Sequence, residues 1–352
     1  MAVYTESRSL LRKAARLAAV ASAACPLLLL ALSLWNLAVT QWEHARNPVP
    51  GAFYSVEGRQ MHLYCSGAGS PTIVIETGLG SDWLGWQTVQ PKLSRVTRVC
   101  TYDRSGLGWS EPRSGPRDAE TIARQLHALL DVAGVKRPMV LTGHSAGGLY
   151  VRDYARQFPA EIAGLVLVDS SSPRQLNELP GARAGYEAGK RNATHELWSD
   201  RLLVWSGCER LMGRCRQTPG KGLEYLAGQY DAQTCRPTLA DGGLGEYMDF
   251  ETAARQAGRL TNLGNVPLLI LSADTSVQDK SMNADAIARQ PVWNREQEAL
   301  KLLSPLSWRV IARGSGHKIY QDRPELVLAQ MSSLIDYLRG VQTPPFGSTA
   351  TN

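Results

Sequence analysis

The chain has 352 residues, 43% of them hydrophobic and 20% charged, with 38 Lys and Arg against 32 Asp and Glu for a net charge of +6. That length and apolar content fit a globular protein, either one large domain with an insertion or two domains. The positive balance does not point to nucleic acid: Arg8, Arg12, Lys13 and Arg16 crowd the N-terminus, the other basic residues are scattered, and neither zinc-finger spacing nor aromatic-basic interleaving is present.

Behind that basic cluster lies an uncharged stretch, Leu17 through Gln41, dominated by Leu and Ala. It is long enough to cross a bilayer as one helix, which needs roughly 20 apolar residues. Trp35 and Trp42 stand towards its far end, where interfacial tryptophans are expected, and Pro26 is tolerable inside such a helix. The basic residues before the stretch, against Arg46 just after it, predict a cytoplasmic N-terminus and a folded part on the outer (periplasmic or extracellular) side. A cleaved signal peptide has a shorter apolar region, roughly 7–15 residues, and a small-x-small site. Ala38-Val39-Thr40 is a weak version of one. Residues 1–47 are therefore read as an uncleaved membrane anchor, with secretion after cleavage as the alternative.

From Tyr54 onward strand-like and helix-like segments alternate. His62-Leu63-Tyr64-Cys65 and Arg98-Val99-Cys100-Thr101 are short β-like runs, and a bridge between Cys65 and Cys100 is plausible in an oxidising compartment. Cys208, Cys215 and Cys235 leave one pair and one free thiol by simple arithmetic, while no Cys/His cluster suggests a metal. Ile73 to Glu76, Val96 to Tyr102, Met139 to Thr142, Ile162 to Val168, Val266 to Leu271 and Trp308 to Ile311 read as apolar strands. Thr121 to Ala133, Leu149 to Phe158 and Pro324 to Leu338 read as helices. Fully apolar strands alternating with helices predict an α/β fold, with a mostly parallel sheet covered on both faces. The pattern fails between about Pro173 and Leu263, so residues 174–265 are expected to form a helical cap over the core segments 48–173 and 266–340. Residues 341–352 are expected to be a disordered tail.

The chemistry concentrates at Gly143-His144-Ser145-Ala146-Gly147, a G-x-S-x-G pattern between a strand and a helix. A strand that turns straight into a helix holds its middle residue in a strained, exposed conformation, and the flanking glycines relieve the collisions. Ser145 is thus the candidate nucleophile, and the Ala146 N–H sits at the positive helix end, ready for a developing oxyanion. A serine hydroxyl needs a base. His317, in the small-residue loop Gly314-Ser315-Gly316-His317 after the last core strand, is the best placed. His44, His62, His127 and His195 lie in unsuitable segments, and His144 is expected to point away along the elbow.

Together with Thr77-Gly78-Leu79-Gly80, with Asp103-Arg104-Ser105-Gly106-Leu107-Gly108 and with Gly316-His317, the Ser145 motif resembles the α/β-hydrolase fold family over about residues 52–339. The resemblance implies an eight-stranded-type sheet and a serine esterase or lipase-like activity on a small-molecule or lipid ester, with no cofactor. It also implies an oxyanion hole made of the Leu79 and Ala146 N–H groups, with Gly78 beside the substrate; Trp83 and Trp86 follow that loop in the sequence and are expected to line an apolar acyl or alcohol pocket. The acid stays open: Asp169, after the Ile162 to Val168 strand, or Asp274, after the next strand, with Ser276 at the commoner acid position and Asp279 late. A dehalogenase or epoxide hydrolase would carry an aspartate in place of Ser145. A lyase, a cofactor-free haloperoxidase or a silent binding protein on the same scaffold are the alternatives.

Overall fold

The computed structural model describes residues 2–216, 219–220, 222–234, 236–276, 284–342 and 349–351. In chain order, α1 (Ala2–Arg46) leads to β1 (Ala52–Val56), β2 (Arg59–Ser66), β3 (Ile73–Glu76), a short α2 (Gln90–Leu93) and β4 (Val99–Tyr102). Then follow α3 (Ala119–Val132), β5 (Met139–His144), α4 (Gly147–Gln157) and β6 (Ile162–Val168). The next segment is helical: α5 (Gln175–Glu178), α6 (Ala182–Trp205), α7 (Cys208–Leu211), α8 (Ala227–Thr234) and α9 (Pro237–Ala257). The core resumes with β7 (Leu268–Ala273), α10 (Ala284–Ala299), β8 (Ser307–Ala312), α11 (Ile319–Asp322), α12 (Pro324–Leu338) and β9 (Thr349–Thr351).

The strands form one sheet in the order β1-β2-β4-β3-β5-β6-β7-β8-β9. β1, β2 and β4 pair antiparallel, and every pairing from β4 and β3 onward is parallel. Side chains of a strand alternate between faces, and both faces here are buried, which is why the strands read as unbroken apolar runs. Leu165 and Leu167 of β6 and Leu268 and Ile270 of β7 join the core under α3 and α4 with Leu126, Leu129 and Val151. Val166, Val168, Leu269 and Leu271 face the other way, towards Trp86, Val327, Met331 and Leu334. Each fully buried Leu, Ile or Val contributes roughly 1.5–3 kcal/mol, so these two layers dominate the stability.

α3 starts where Asp118 accepts a hydrogen bond from the Thr121 N–H at 2.9 Å, a side-chain cap for an otherwise unpaired donor. Cys65 and Cys100 face each other directly in the β2–β4 pair and are joined by a disulfide. Cys215 is also disulfide-bonded and Cys208 is a free thiol, while Cys235 lies outside the described residues. Of the tail expected to be disordered, residues 343–348 and 352 lie outside the described residues, and Thr349–Thr351 pairs in parallel with β8. The β8 edge offers unpaired backbone donors and acceptors, and β-branched threonines suit an added strand.

The cap packs on the elbow helix. Phe250, Ala253, Ala254 and Ala257 of α9 and Tyr186 of α6 close over Ala146, Leu149 and Tyr150. Within α1, Ala24–Arg46 is long and apolar enough to cross a membrane. Its C-terminal part touches α8 of the cap, where His44 Nε2 lies 3.1 Å from the Ala232 carbonyl.

Candidate active site

Ser145 sits at φ +53°, in the left-handed region that costs a non-glycine residue about 1–3 kcal/mol. Its own backbone holds it there: the Ser145 N–H donates to the Val168 carbonyl at 3.2 Å, and its carbonyl accepts from the Ser171 N–H at 2.9 Å. The turn is too tight for side chains on either flank. A Cβ at Gly143 would lie 2.6 Å from the Gly147 carbonyl oxygen, and one at Gly147 would lie 2.6 Å from that of Glu76. Those contacts are shorter than atoms tolerate, so the motif's glycines are dictated by sterics.

His317 follows β8 and turns its Nδ1–H to Asp169 Oδ2 at 2.6 Å. Asp169 is itself at φ +39° and almost wholly buried. Its other oxygen accepts from the Ala273 N–H at 3.0 Å and the Trp293 Nε1–H at 2.9 Å. With Nδ1 committed as donor, the imidazole keeps the Nε2 lone pair for another proton. Among the described residues neither Ser145 Oγ nor His317 Nε2 hydrogen-bonds a protein group. Such contacts commonly tighten only around substrate.

Asp274 does something else. It accepts from Ser276 N–H (3.1 Å), Ser276 Oγ–H (2.6 Å) and Gly314 N–H (3.0 Å), with Arg313 at 3.5 Å. Burial pushes its carboxyl up, but the Ser276 and Gly314 donors outweigh that and hold it below the usual carboxylate value. Of the two aspartates left open by the sequence, the structure brings Asp169 to the imidazole. Asp279 lies outside the described residues.

His144 does not point away along the elbow. Its Nε2–H donates to the His317 carbonyl at 3.1 Å, and its ring lies 4.7 Å from that of His317. The deviation has a steric cause: the bare face of Gly78, where a Cβ would come within 3.0 Å of His144 Nδ1, leaves room for the ring. Burial, followed by the neighbouring His317, lowers the His144 pKa to about 3.

The Leu79 and Ala146 N–H groups donate to no protein acceptor among the described residues, and a Cβ at Gly78 would lie 3.3 Å from Ser145 Cβ. A network invisible in the motifs fixes that loop. Arg104 donates to the Thr77 and Gly78 carbonyls at 3.0 and 2.7 Å, and pairs with Glu76 and with Glu246 of α9. Glu246 also accepts from the Gly80 N–H at 2.8 Å, and Tyr102 donates to Glu76. All three charged side chains are buried. Burial is the main reason that the Glu76 carboxyl is pushed up to about 6, although Arg104 opposes it. Charged residues ending the apolar runs of β3 and β4 were the available signal, since a buried charge requires a partner.

Trp83 is not beside the cavity at His317. It is wholly buried, edge-on to Tyr64 and His62 at 5.5 and 5.8 Å, under Leu223 and Leu226. The ring is simply the apolar filler between the first core loop and the cap. Trp86 stacks on Tyr320 at 4.5 Å in the core. The cavity next to His317, of about 240 Å³, is instead lined by Asp169, Leu179, Ala273, Asp274 and Trp293. Trp293 comes from α10, a helix that no sequence pattern marked. Among the described residues no His/Cys/Asp/Glu group could hold a metal ion.

The comparisons agree with this architecture. Residues 71–232 match the family model described as alpha/beta hydrolase fold. The chain is 39% identical over 292 residues to a protein of Hormonema carpetanum named as a probable transporter, efuK, covering 76% of this chain and 40% of that one. It thus spans less than half the length of that relative. A Gibberella zeae protein named as an AB hydrolase superfamily member is 32% identical over 296 residues, covering 76% of this chain and 87% of its own. Among solved structures, a thermophilic esterase from Thermogutta terrifontis superposes with a TM-score of 0.56 at 21% identity, over 84% of this chain and 100% of that one, a likeness of fold alone. On its sheet order, its serine elbow and these relatives, the chain belongs to the α/β-hydrolase fold family.

Proposed function

We propose that the chain is a serine hydrolase that cleaves a carboxylic ester through an acyl-enzyme at Ser145. The observation that carries the reading is the 2.6 Å contact of His317 Nδ1 with Asp169 beside a serine held at φ +53°. His317 Nε2 takes the Ser145 proton as Oγ attacks the carbonyl carbon. The oxyanion is held by the Ala146 N–H at the positive end of α4 and by the Leu79 N–H; one such donor is typically worth about 10²–10³ in rate. His317 then passes the proton to the departing alcohol. A water deprotonated by the same nitrogen attacks the acyl-enzyme, releasing the acid and returning the proton to Ser145. Asp169 keeps the imidazole in the required tautomer and stabilises its charged form. A serine at the elbow weighs against halide displacement or epoxide opening, which need a carboxylate there.

The protein is anchored by α1 with its body on the outer side. The basic residues before the span support this topology, and the Cys65–Cys100 bridge fits an oxidising compartment. The substrate is a small-molecule or lipid ester. Labelling by a fluorophosphonate probe tests the chemistry: the folded protein is expected to label, and Ser145→Ala to abolish it. A folded protein that stays unlabelled would overturn the reading.

A further inference from the structure

We propose that the α6–α7 turn of the cap is a second membrane-docking element, seated in the same bilayer leaflet as the C-terminal end of α1. The inference rests on α1 being a membrane anchor. It concerns where the cap meets that helix.

The turn is clamped to α1 well inside the uncharged stretch. A side chain at Gly207 would meet Asn36 Cβ at 3.0 Å and the Leu32 carbonyl at 3.2 Å, so backbone lies directly on helix. Asn36 is buried, its Nδ2–H donating to the Val204 carbonyl at 2.9 Å and its Oδ1 accepting from Arg210 Nε–H at 2.9 Å. Arg210 reaches on along the same helix to Thr40 Oγ1 and Glu43. The uncharged stretch ends at Gln41, so at 1.5 Å per residue the contacts at Asn36 and Leu32 lie roughly 8 and 13 Å inside its end. If α1 spans a bilayer, the turn cannot stay in water.

Its surface suits that position. Leu202, Trp205, Leu211 and Met212 flank the turn with 58, 51, 60 and 48% of their areas exposed. Four large apolar side chains grouped in this way form an exposed apolar surface on the cap where it meets α1. The amide of Asn36, the polar group deepest in the contact, has both its nitrogen and its oxygen paired, as a medium without water demands. An insertion of about 10 Å is the depth at which amphipathic elements rest in the headgroup and acyl boundary. The occupant is therefore lipid acyl chains, and the cap is held at a fixed depth and not free above the membrane.

The test uses the full chain in phosphatidylcholine vesicles carrying doxyl quenchers on the acyl chain. Bimane is placed at Leu211→Cys, Leu28→Cys or Leu302→Cys in a Cys25→Ser/Cys208→Ser background, without reductant and with that background as blank. All three sites are exposed, so folding is not at stake. The labels at 28 and 211 are expected to lose about half their fluorescence or more, consistent with burial past the headgroups, and the label at 302 to keep it. Quenching at 28 without quenching at 211 overturns the docking and leaves the anchor standing. Absence of quenching at both overturns the two together. Equal quenching at 211 and 302 also overturns it, since adsorption would then be indiscriminate.

Discussion

β6 and β7 lie side by side in parallel, and each is followed by an aspartate at the same edge of the sheet. Asp169 reaches His317, while Asp274 turns back to the Ser276 and Gly314 donors and ties down the loop that carries the histidine. The pair differs less in burial than in partners: one carboxylate has an oxygen left for an imidazole, and the other spends both on backbone and hydroxyl donors. Position at the end of a strand therefore does not assign a role. The loop that comes within reach assigns it.

Exchanging each carboxylate for an amide is the strongest way to break that contrast. Asp169→Asn should lower kcat by about 10⁴, as expected when the imidazole is held in the wrong tautomer, with KM for a p-nitrophenyl ester little changed. Asp274→Asn should cost about tenfold or less, because only the loop is loosened. The reverse ranking would hand the catalytic role to Asp274.

His144 sharpens the contrast through its grip on the His317 carbonyl. Its depressed pKa means that the folded protein keeps it neutral while the unfolded chain binds a proton. The stability it brings is complete above pH 6.5 and is lost as pH falls towards about 3. By pH 5 the loss is roughly 2 kcal/mol, at 1.36 kcal/mol per pH unit. His144→Gln should flatten the fall in urea midpoint between pH 7 and 5. An unchanged slope would show that another group governs the acid limb.

A smaller effect is expected at Trp293→Phe, which deletes the indole donor to Asp169 Oδ1 but keeps the Ala273 N–H and the histidine contact. A fall of about tenfold in kcat would match one lost hydrogen bond to a charged group. Smallest of all, Ser276→Ala should leave activity at neutral pH unchanged and lower stability by about 1 kcal/mol or less, visible as a shift in Tm. A large activity loss there would mean that Asp274 does more than shape the loop.

Ser145, His317, Gly78 and the two candidate aspartates were legible in the sequence because their signals are local: a strand, a tight turn, a small-residue loop. The choice between Asp169 and Asp274 was not, since it depends on which of two neighbouring strand ends the β8 loop crosses. Trp293 escaped because α10 contains Pro291 and shows no apolar periodicity to mark it. Glu246 escaped because the helical cap gives no hint of which face turns inward. Trp83 misled for the opposite reason. Proximity in sequence to the Gly78 loop suggested a place beside the substrate, while an indole's apolar area drew it into the core.

The Arg104 cluster has a consequence for recombination. Glu246 belongs to the cap, yet it accepts from the Arg104 guanidinium of the core and from the Gly80 N–H beside Leu79. A chimera that grafts a foreign helical segment between residues 173 and 266 would cost Arg104 one of its two carboxylate partners, and the Gly80 N–H its acceptor, unless the donor supplied a carboxylate at that helix position. The helical segment can thus be exchanged as a module only among donors that carry the matching acid.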